Sequence, residues 1–314
     1  MNQTRIVTII CWIITTVVLI GLVAWFITGP IVGFSNWDAF AGTFEERTTY
    51  SIPTDDIDAM NINWTAGRIN VQRHHGNDIR VTEFSRRELR DGEEFRINVT
   101  NGTVSVEFGS ERGSILRNTQ TKRLEVLIPY EFDDFEEFTL KTISGRVNVN
   151  DLSASTLIDI STVSGRVEVY QIHSYTLNVS TTSGRIGVYH ANVFSANLRT
   201  VSGRIEIADS NARDLEMRTT SGRQYISGGF EYIAARAVSG RIEVISESVP
   251  SDLYVTTTSG RISVTVPNEG PISVNYSLRS GRFSSDIPII MHGIEDAQFR
   301  FSSTSGRISI YSLN

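Results

Sequence analysis

The chain has 314 residues, 40% hydrophobic and 20% charged, with a formal net charge of −6 at pH 7. That balance excludes a disordered polyelectrolyte and allows a sizeable core, while its acidity argues against bulk electrostatic capture of polyanions. A single cysteine, Cys11, excludes an intramolecular disulfide.

Residues 1–5 form a short polar tip, and residues 6–28 follow without a charge. At 1.5 Å per residue this stretch spans roughly 34 Å as a helix, enough for a hydrocarbon core of about 30 Å. Arg5 precedes it and Asp38 is the first charge beyond it, so the positive-inside tendency places the N-terminus in the cytoplasm and the remainder outside. The span is long for a signal peptide and no small-x-small cleavage site follows. One uncleaved, single-pass transmembrane helix is therefore predicted, leaving the rest at the cell membrane on its extracytoplasmic side. Residues 29–52 read as a linker, with Phe34 and Trp37 suited to the interface.

Residues 53–126 alternate as strands do, but irregularly. Met60, Ile62 and Trp64 precede Ala66-Gly67-Arg68, and Ile69 and Val71 follow it. Asn101-Gly102, between Phe95–Val99 and Val104–Val106, signals a two-residue hairpin. Atypical units close the ends of repeat proteins, so this region is predicted to be an N-terminal cap.

Residues 127–314 are regular. Ser-Gly-Arg occurs nine times, centred on Gly145, Gly165, Gly184, Gly203, Gly222, Gly240, Gly260, Gly281 and Gly306, at steps of 18 to 25 residues and most often 19. Gly67 marks a diverged tenth copy. Apolar residues recur seven and five before each glycine, as at Leu177 and Val179, and two and four after it, as at Ile186 and Val188. Spacing of two means strands with one buried face. The parity change across the glycine requires a corner, which glycine's freedom at positive φ permits. A fixed period of about 19 residues is the mark of stacked repeats. The predicted fold is all-β: a single-stranded parallel β-solenoid, β-helix-like, behind one transmembrane helix. The threonines three before the glycine (Thr142, Thr162, Thr181, Thr200, Thr219, Thr257) are expected to form an inward hydroxyl ladder. The Gly306 copy stands last, so its edge is expected to lie open. The insert from Ile287 to Gln298 is predicted to fold over it, with end-to-end self-association through that edge as the alternative.

This pattern resembles the putative-adhesin family of bacterial envelope β-strand repeat proteins, a family of largely unknown function. The likeness rests on the N-terminal membrane segment, the early unit Met60–Val71, and runs such as Thr181-Thr182-Ser183-Gly184-Arg185-Ile186-Gly187-Val188. It covers roughly residues 46–314. It implies the fold and an adhesive tendency, and no particular ligand. The family more often carries Asp or another small polar residue after the glycine, whereas here arginine stands there every time.

Those arginines are Arg146, Arg166, Arg185, Arg204, Arg223, Arg241, Arg261, Arg282 and Arg307, with Arg68 in the diverged copy. Their parity is opposite to the buried pairs, so they face solvent in a column. Like charges at about 4.8 Å repel unless paired or screened, and Glu168, Glu206 and Glu243 lie two residues on for pairing. The simpler reading is structural, with guanidinium groups donating to serine hydroxyls and corner carbonyls. The sharper one is a linear stripe for an envelope polysaccharide or other polyanion.

Catalytic, metal and cofactor residues are not predicted. His74, His75, His173, His190 and His292 lack the spacing of a metal site, and His74-His75 reads as a polar turn. The acidic run Glu131, Asp133, Asp134, Glu136 and Glu137 reads as a solvated turn with Phe132 and Phe135 turned inward. Gln224, at the buried position that Ile or Val fills in most copies, marks a bulge or a ligand-contacting notch. Aromatics do not interleave with basic residues, so nucleic acid is not expected as a partner. The predicted role is a non-enzymatic, membrane-anchored surface for adhesion, envelope contact or a partner envelope protein. The alternatives are a β-helix carbohydrate-active enzyme and an envelope-stress accessory protein that scaffolds membrane partners.

Overall fold

Alternation of buried and exposed residues persists through nearly the whole repeat region, and strand structure follows it. The computed structural model describes residues 43–109, 121–291 and 297–313. The expected tip, transmembrane span and most of the linker lie outside them, and among the described residues no helix is long and apolar enough to cross a membrane. Residues Phe44–Asn314 form one compact unit.

Twelve strands make one sheet: β1 (Glu45–Pro53), β2 (Ala59–His74), β3 (Asp78–Ser85), β4 (Arg96–Thr100), β5 (Thr103–Glu107), β6 (Lys122–Pro129), β7 (Phe135–Tyr189), β8 (Asn192–Ser246), β9 (Asp252–Pro267), β10 (Ile272–Ser285), β11 (Ile289–Met291) and β12 (Gln298–Leu313). β1 takes residues 45–52 out of the expected linker, because they pair antiparallel with β3. β7 and β8 each run through three Ser-Gly-Arg copies as continuous extended chain. Successive copies stack parallel and in register, glycine on glycine and arginine on arginine. Ile and Val at the inward offsets, such as Ile160, Val179, Ile205 and Val244, are fully buried.

Two features hold each turn in shape. The corner glycines have φ between 120° and 155°, and a Cβ on Gly203 would run into the carbonyl oxygen of Gly184 on the neighbouring turn. Close approach and positive φ together exclude every other residue there. A second corner lies six residues on, where Asp151, Gln171, His190 and Asp209 adopt φ of 50–56° and Gly228 of 136°. The threonines are buried, but they do not form a ladder between turns. Thr142, Thr162, Thr200 and Thr257 each donate to the serine carbonyl two residues on, at 3.3–3.4 Å. The nearest acceptor is the carbonyl that the corner turns out of the sheet, so the bond stays within the turn.

The stacking order departs from the chain order at both ends. The sheet runs β1-β3-β6-β2-β7-β8-β9-β12-β10-β11. At the first end the diverged copy in β2 is not terminal. β5 continues the stack beyond its first half and β6 beyond its second, with Lys122 taking the glycine position opposite Gly67. β3 and β4 then run antiparallel to β6 and β5. The hairpin at Asn101-Gly102 forms as its sequence requires, with φ of 48° and 74°. Arg73 pins the crossover from β6 to β7, donating to the carbonyls of Pro129, Phe132 and Asp151 at 2.9, 3.1 and 3.1 Å.

At the other end the expectation of an open edge at the Gly306 copy fails. β12 lies between β9 and β10, with Gly306 stacked on Gly260 and Gly281 stacked on Gly306. The outermost turn is β10. Part of the insert does fold onto it: β11 pairs with Ile272–Val274, and Ile287 is buried. From Asn275 to Ser285 no second neighbour stands among the described strands. Tyr276 is accordingly 40% exposed, where the equivalent Phe301 and Val255 are 2% and 0%.

Candidate functional site

The arginine column exists, in an order the sequence does not give. From the capped end it reads Arg123, Arg68, Arg146, Arg166, Arg185, Arg204, Arg223, Arg241, Arg261, Arg307, Arg282. Arg123 was not legible as a member, because Lys122 replaces the glycine before it. Burial lowers the Arg123 pKa first, and the neighbouring guanidinium groups of Arg68 and Arg86 lower it further. Its guanidinium lies 4.0 Å from the centre of the Phe44 ring.

Counter-charges divide the column. Arg166 meets Glu168 at 3.5 Å, and Glu206 is shared by Arg185 at 2.6 Å and Arg204 at 3.2 Å. Glu206 holds the Arg185 proton more tightly than usual through that hydrogen bond. Above Arg204 the pairing stops. Among the described residues the side chains of Arg223, Arg241, Arg261, Arg307 and Arg282 make no ion pair or hydrogen bond, and Glu243 pairs with none of them. The donation to serines and corner carbonyls that a structural ladder needs is not made by these five.

The reason is visible at the position two residues after each arginine, which faces the same side. It holds Glu168, Glu206 and Glu243 in three of the turns, Asn70, Asn148, Gly187 and Tyr225 in those between and below them, and Ser263, Ser309 and Ser284 in the last three. Ser284 and Ser309 bond to each other at 3.1 Å. Arg241, Arg261, Arg307 and Arg282, with Ser239 and Ser259 and the corner glycines, line an open groove of about 770 Å³. Among the described residues pairing in the column is thus confined to Arg166, Arg185 and Arg204, with Arg68 and Arg146 unpaired on one side and the five guanidinium groups from Arg223 to Arg282 unengaged on the other.

A second basic feature escaped the sequence reading. Glu216 lies 3.3 Å from Arg199 and 3.7 Å from Arg236, and also pairs with Arg218. The arginines stand four before the glycine in three successive copies and Glu216 six before Gly222; arginine at that offset in consecutive turns is the signal that could have found them, though it is confined to three copies of nine. Here one carboxylate engages all three arginines.

The remaining candidates resolve as packing. Gln224 is fully buried and donates to the Arg236 carbonyl at 2.7 Å, which makes it a core hydrogen bond and not a notch. Phe135 is buried beside Phe132, with the surrounding carboxylates in solvent. His74 accepts from the Gly76 amide through Nδ1 and so donates through Nε2 to the Asp78 carbonyl, closing a polar turn. Among the described residues no cluster of His, Cys, Asp or Glu has metal-binding geometry. Four surface grooves hold at most one carboxylate each, Glu107 in one and Glu269 in another.

Comparison with known proteins places the chain by family. The family described as Toastrack DUF4097 matches residues 57–293. Among curated proteins, none matches the sequence. A crystal structure of a "putative adhesin" from Bacteroides fragilis NCTC 9343 is similar at 14% identity, covering 85% of this chain and 97% of its own, with a TM-score of 0.47. A "putative cell adhesion protein" from Clostridium sporogenes ATCC 15579 is similar at 8% identity, covering 86% and 100%, with a TM-score of 0.25.

Proposed function

The chain belongs to the Toastrack DUF4097 family, and on that premise we propose that it is a non-enzymatic surface protein. It is anchored by residues 6–28 and presents its solenoid outside the cytoplasm, as a rigid face for contact with envelope polymers or partner envelope proteins. The observation that carries this reading is the unengaged upper half of the arginine column. Mutual repulsion makes a row of stacked like charges costly to keep, and a bound anion relieves it. Glycoside hydrolysis needs two carboxylates across one groove, and none of the four grooves has a pair. That observation favours a binding surface over an enzyme.

The test is co-sedimentation of the full chain, in non-ionic detergent, with isolated envelope fractions across a salt series. Binding that weakens with salt is expected. A variant with Arg241, Arg261, Arg307 and Arg282 changed to Ser should lose it. A control with Arg199, Arg218 and Arg236 changed to Ser, three positive charges removed against four, should keep it. Equal binding by all three proteins, or by none, overturns the reading.

A further inference from the structure

We propose that Arg241, Arg261, Arg307 and Arg282 form one site for a linear, phosphodiester-bearing polymer lying along the solenoid axis. The inference rests on the binding role given above and names its ligand class. The four arginines belong to four adjacent turns, placed in line by the register of β8, β9, β12 and β10. Turns rise by about 4.8 Å, so the four guanidinium groups span roughly 14 Å along a straight path. A single phosphate or carboxylate reaches at most two of them. A polymer with a charge on each repeat meets all four.

The groove is also chemically distinct from the rest of the column. Ser263, Ser309 and Ser284 stand at the position from which Glu168 and Glu206 pair with Arg166, Arg185 and Arg204, and Glu243 on the Arg241 turn pairs with none of the column. Serine in that place leaves three of the four guanidinium groups, Arg261, Arg307 and Arg282, with no carboxylate on their own turn, and Ser239 and Ser259 supply the hydroxyls that line the groove. Each pair of neighbouring cations lies within one Debye length of about 8 Å, so the row favours a ligand whose charges repeat on a similar scale. A phosphodiester has two unesterified oxygens splayed about a tetrahedral centre. Each can accept from a different turn, bridging two rungs. A planar carboxylate aligns both its oxygens with the fork of a single arginine. Stacked guanidinium groups on successive turns therefore suit phosphodiesters better than uronic-acid chains.

Arg307 occupies the third rung only because β12 enters between β9 and β10. Without it the row would break in the middle, so Arg307 is the most informative single position.

The experiment is fluorescence anisotropy of the full chain in detergent with a labelled synthetic glycerol-phosphodiester octamer, at two salt concentrations. Competitors are inorganic phosphate and an oligogalacturonate of equal charge number. The octamer is expected to bind, and Arg307→Ser to weaken it at least tenfold. Arg204→Ser, in the paired stretch, should change it less than twofold. Oligogalacturonate should compete at least tenfold less well than unlabelled octamer, and inorganic phosphate not at all. If Arg307→Ser fails the circular-dichroism check for folding, Arg307→Lys keeps the charge, loses the fork, and should weaken binding severalfold. Equal competition by oligogalacturonate, or an unchanged Arg307→Lys, overturns the phosphodiester site. Envelope fractions bound through the four arginines without octamer binding overturn it too, and leave the broader role standing. Failure of both probes removes both.

Discussion

The two ends of the solenoid solve the same problem in opposite ways. At the first end the parallel stack stops on reversed strands, β3 on β6 and β4 on β5. Behind them lies a buried ion pair, Lys122 with Glu83 at 2.8 Å, with side chains 1% and 0% exposed. Lys122 also donates to the carbonyls of Gly109 and Glu93, and its ammonium lies 4.2 Å from the centre of the Phe108 ring. Burial pushes the Glu83 carboxyl up and the Lys122 ammonium down, and each partner opposes the other's shift. At the second end no reversed strand and no buried charge stand among the described residues. The last copy is drawn into the stack, and β10 is left outside with β11 over its first residues only. One end is closed by polar chemistry, the other by rearranging apolar turns.

The sharpest way to break the contrast is Lys122→Ala. It leaves a buried carboxylate without its partner, at a cost of about 3–5 kcal/mol. Urea unfolding followed by circular dichroism should show that loss. The double change Lys122→Met with Glu83→Leu should recover most of it, because neutral groups of similar volume need no pairing. A recovery that fails would mean the charges, and not just their balance, close this end.

Gly306→Ala probes the other end. Its φ is 152°, and a Cβ there meets the carbonyl of Gly260. Backbone strain alone costs on the order of 1–3 kcal/mol. Hydrogen exchange should quicken in β12 and β10 while β2 keeps its protection. Uniform loss of protection would instead make the two ends one cooperative unit.

The smallest effect belongs to Glu93, on the surface of the first end. Its hydrogen bond with Arg87 lowers its pKa to about 2, with help from the Arg90 amide and opposed by partial burial. A depressed carboxylate pKa stabilises the fold above its ordinary value of 4.5 and loses that contribution as pH falls towards 2. Glu93→Gln should flatten the pH dependence of stability in that interval. An unchanged slope would mean Glu93 is not held by Arg87 in solution.

Much of this was legible from residue types alone. The glycine corner, the inward pairs and the outward arginines announce themselves because each turn must repeat the same steric solution. The second corner did not, because Asp, Gln, His and Gly can all enter its conformation and leave no single letter to follow. Nor did the order of the last turns. Ile262 and Val264, Ile308 and Ile310, and Phe283 are interchangeable apolar contacts, so the pattern permits either β10 or β12 to lie on β9. The division of the arginine column does not depend on that order, because Ser263, Ser284 and Ser309 stand in the last three turns either way; the order decides only that Arg307 lies between Arg261 and Arg282.

The buried position of β12 also has a mechanical side. An edge strand yields to a pull by unzipping, one pair of bonds at a time. β12 has a full ladder on each side, to β9 through Leu313 and to β10 through Ile310. A load entering at residue 313 meets the β9 ladder alone over residues 311–313 and must shear two ladders from Ile310 inward, so β12 is harder to peel away than an edge strand.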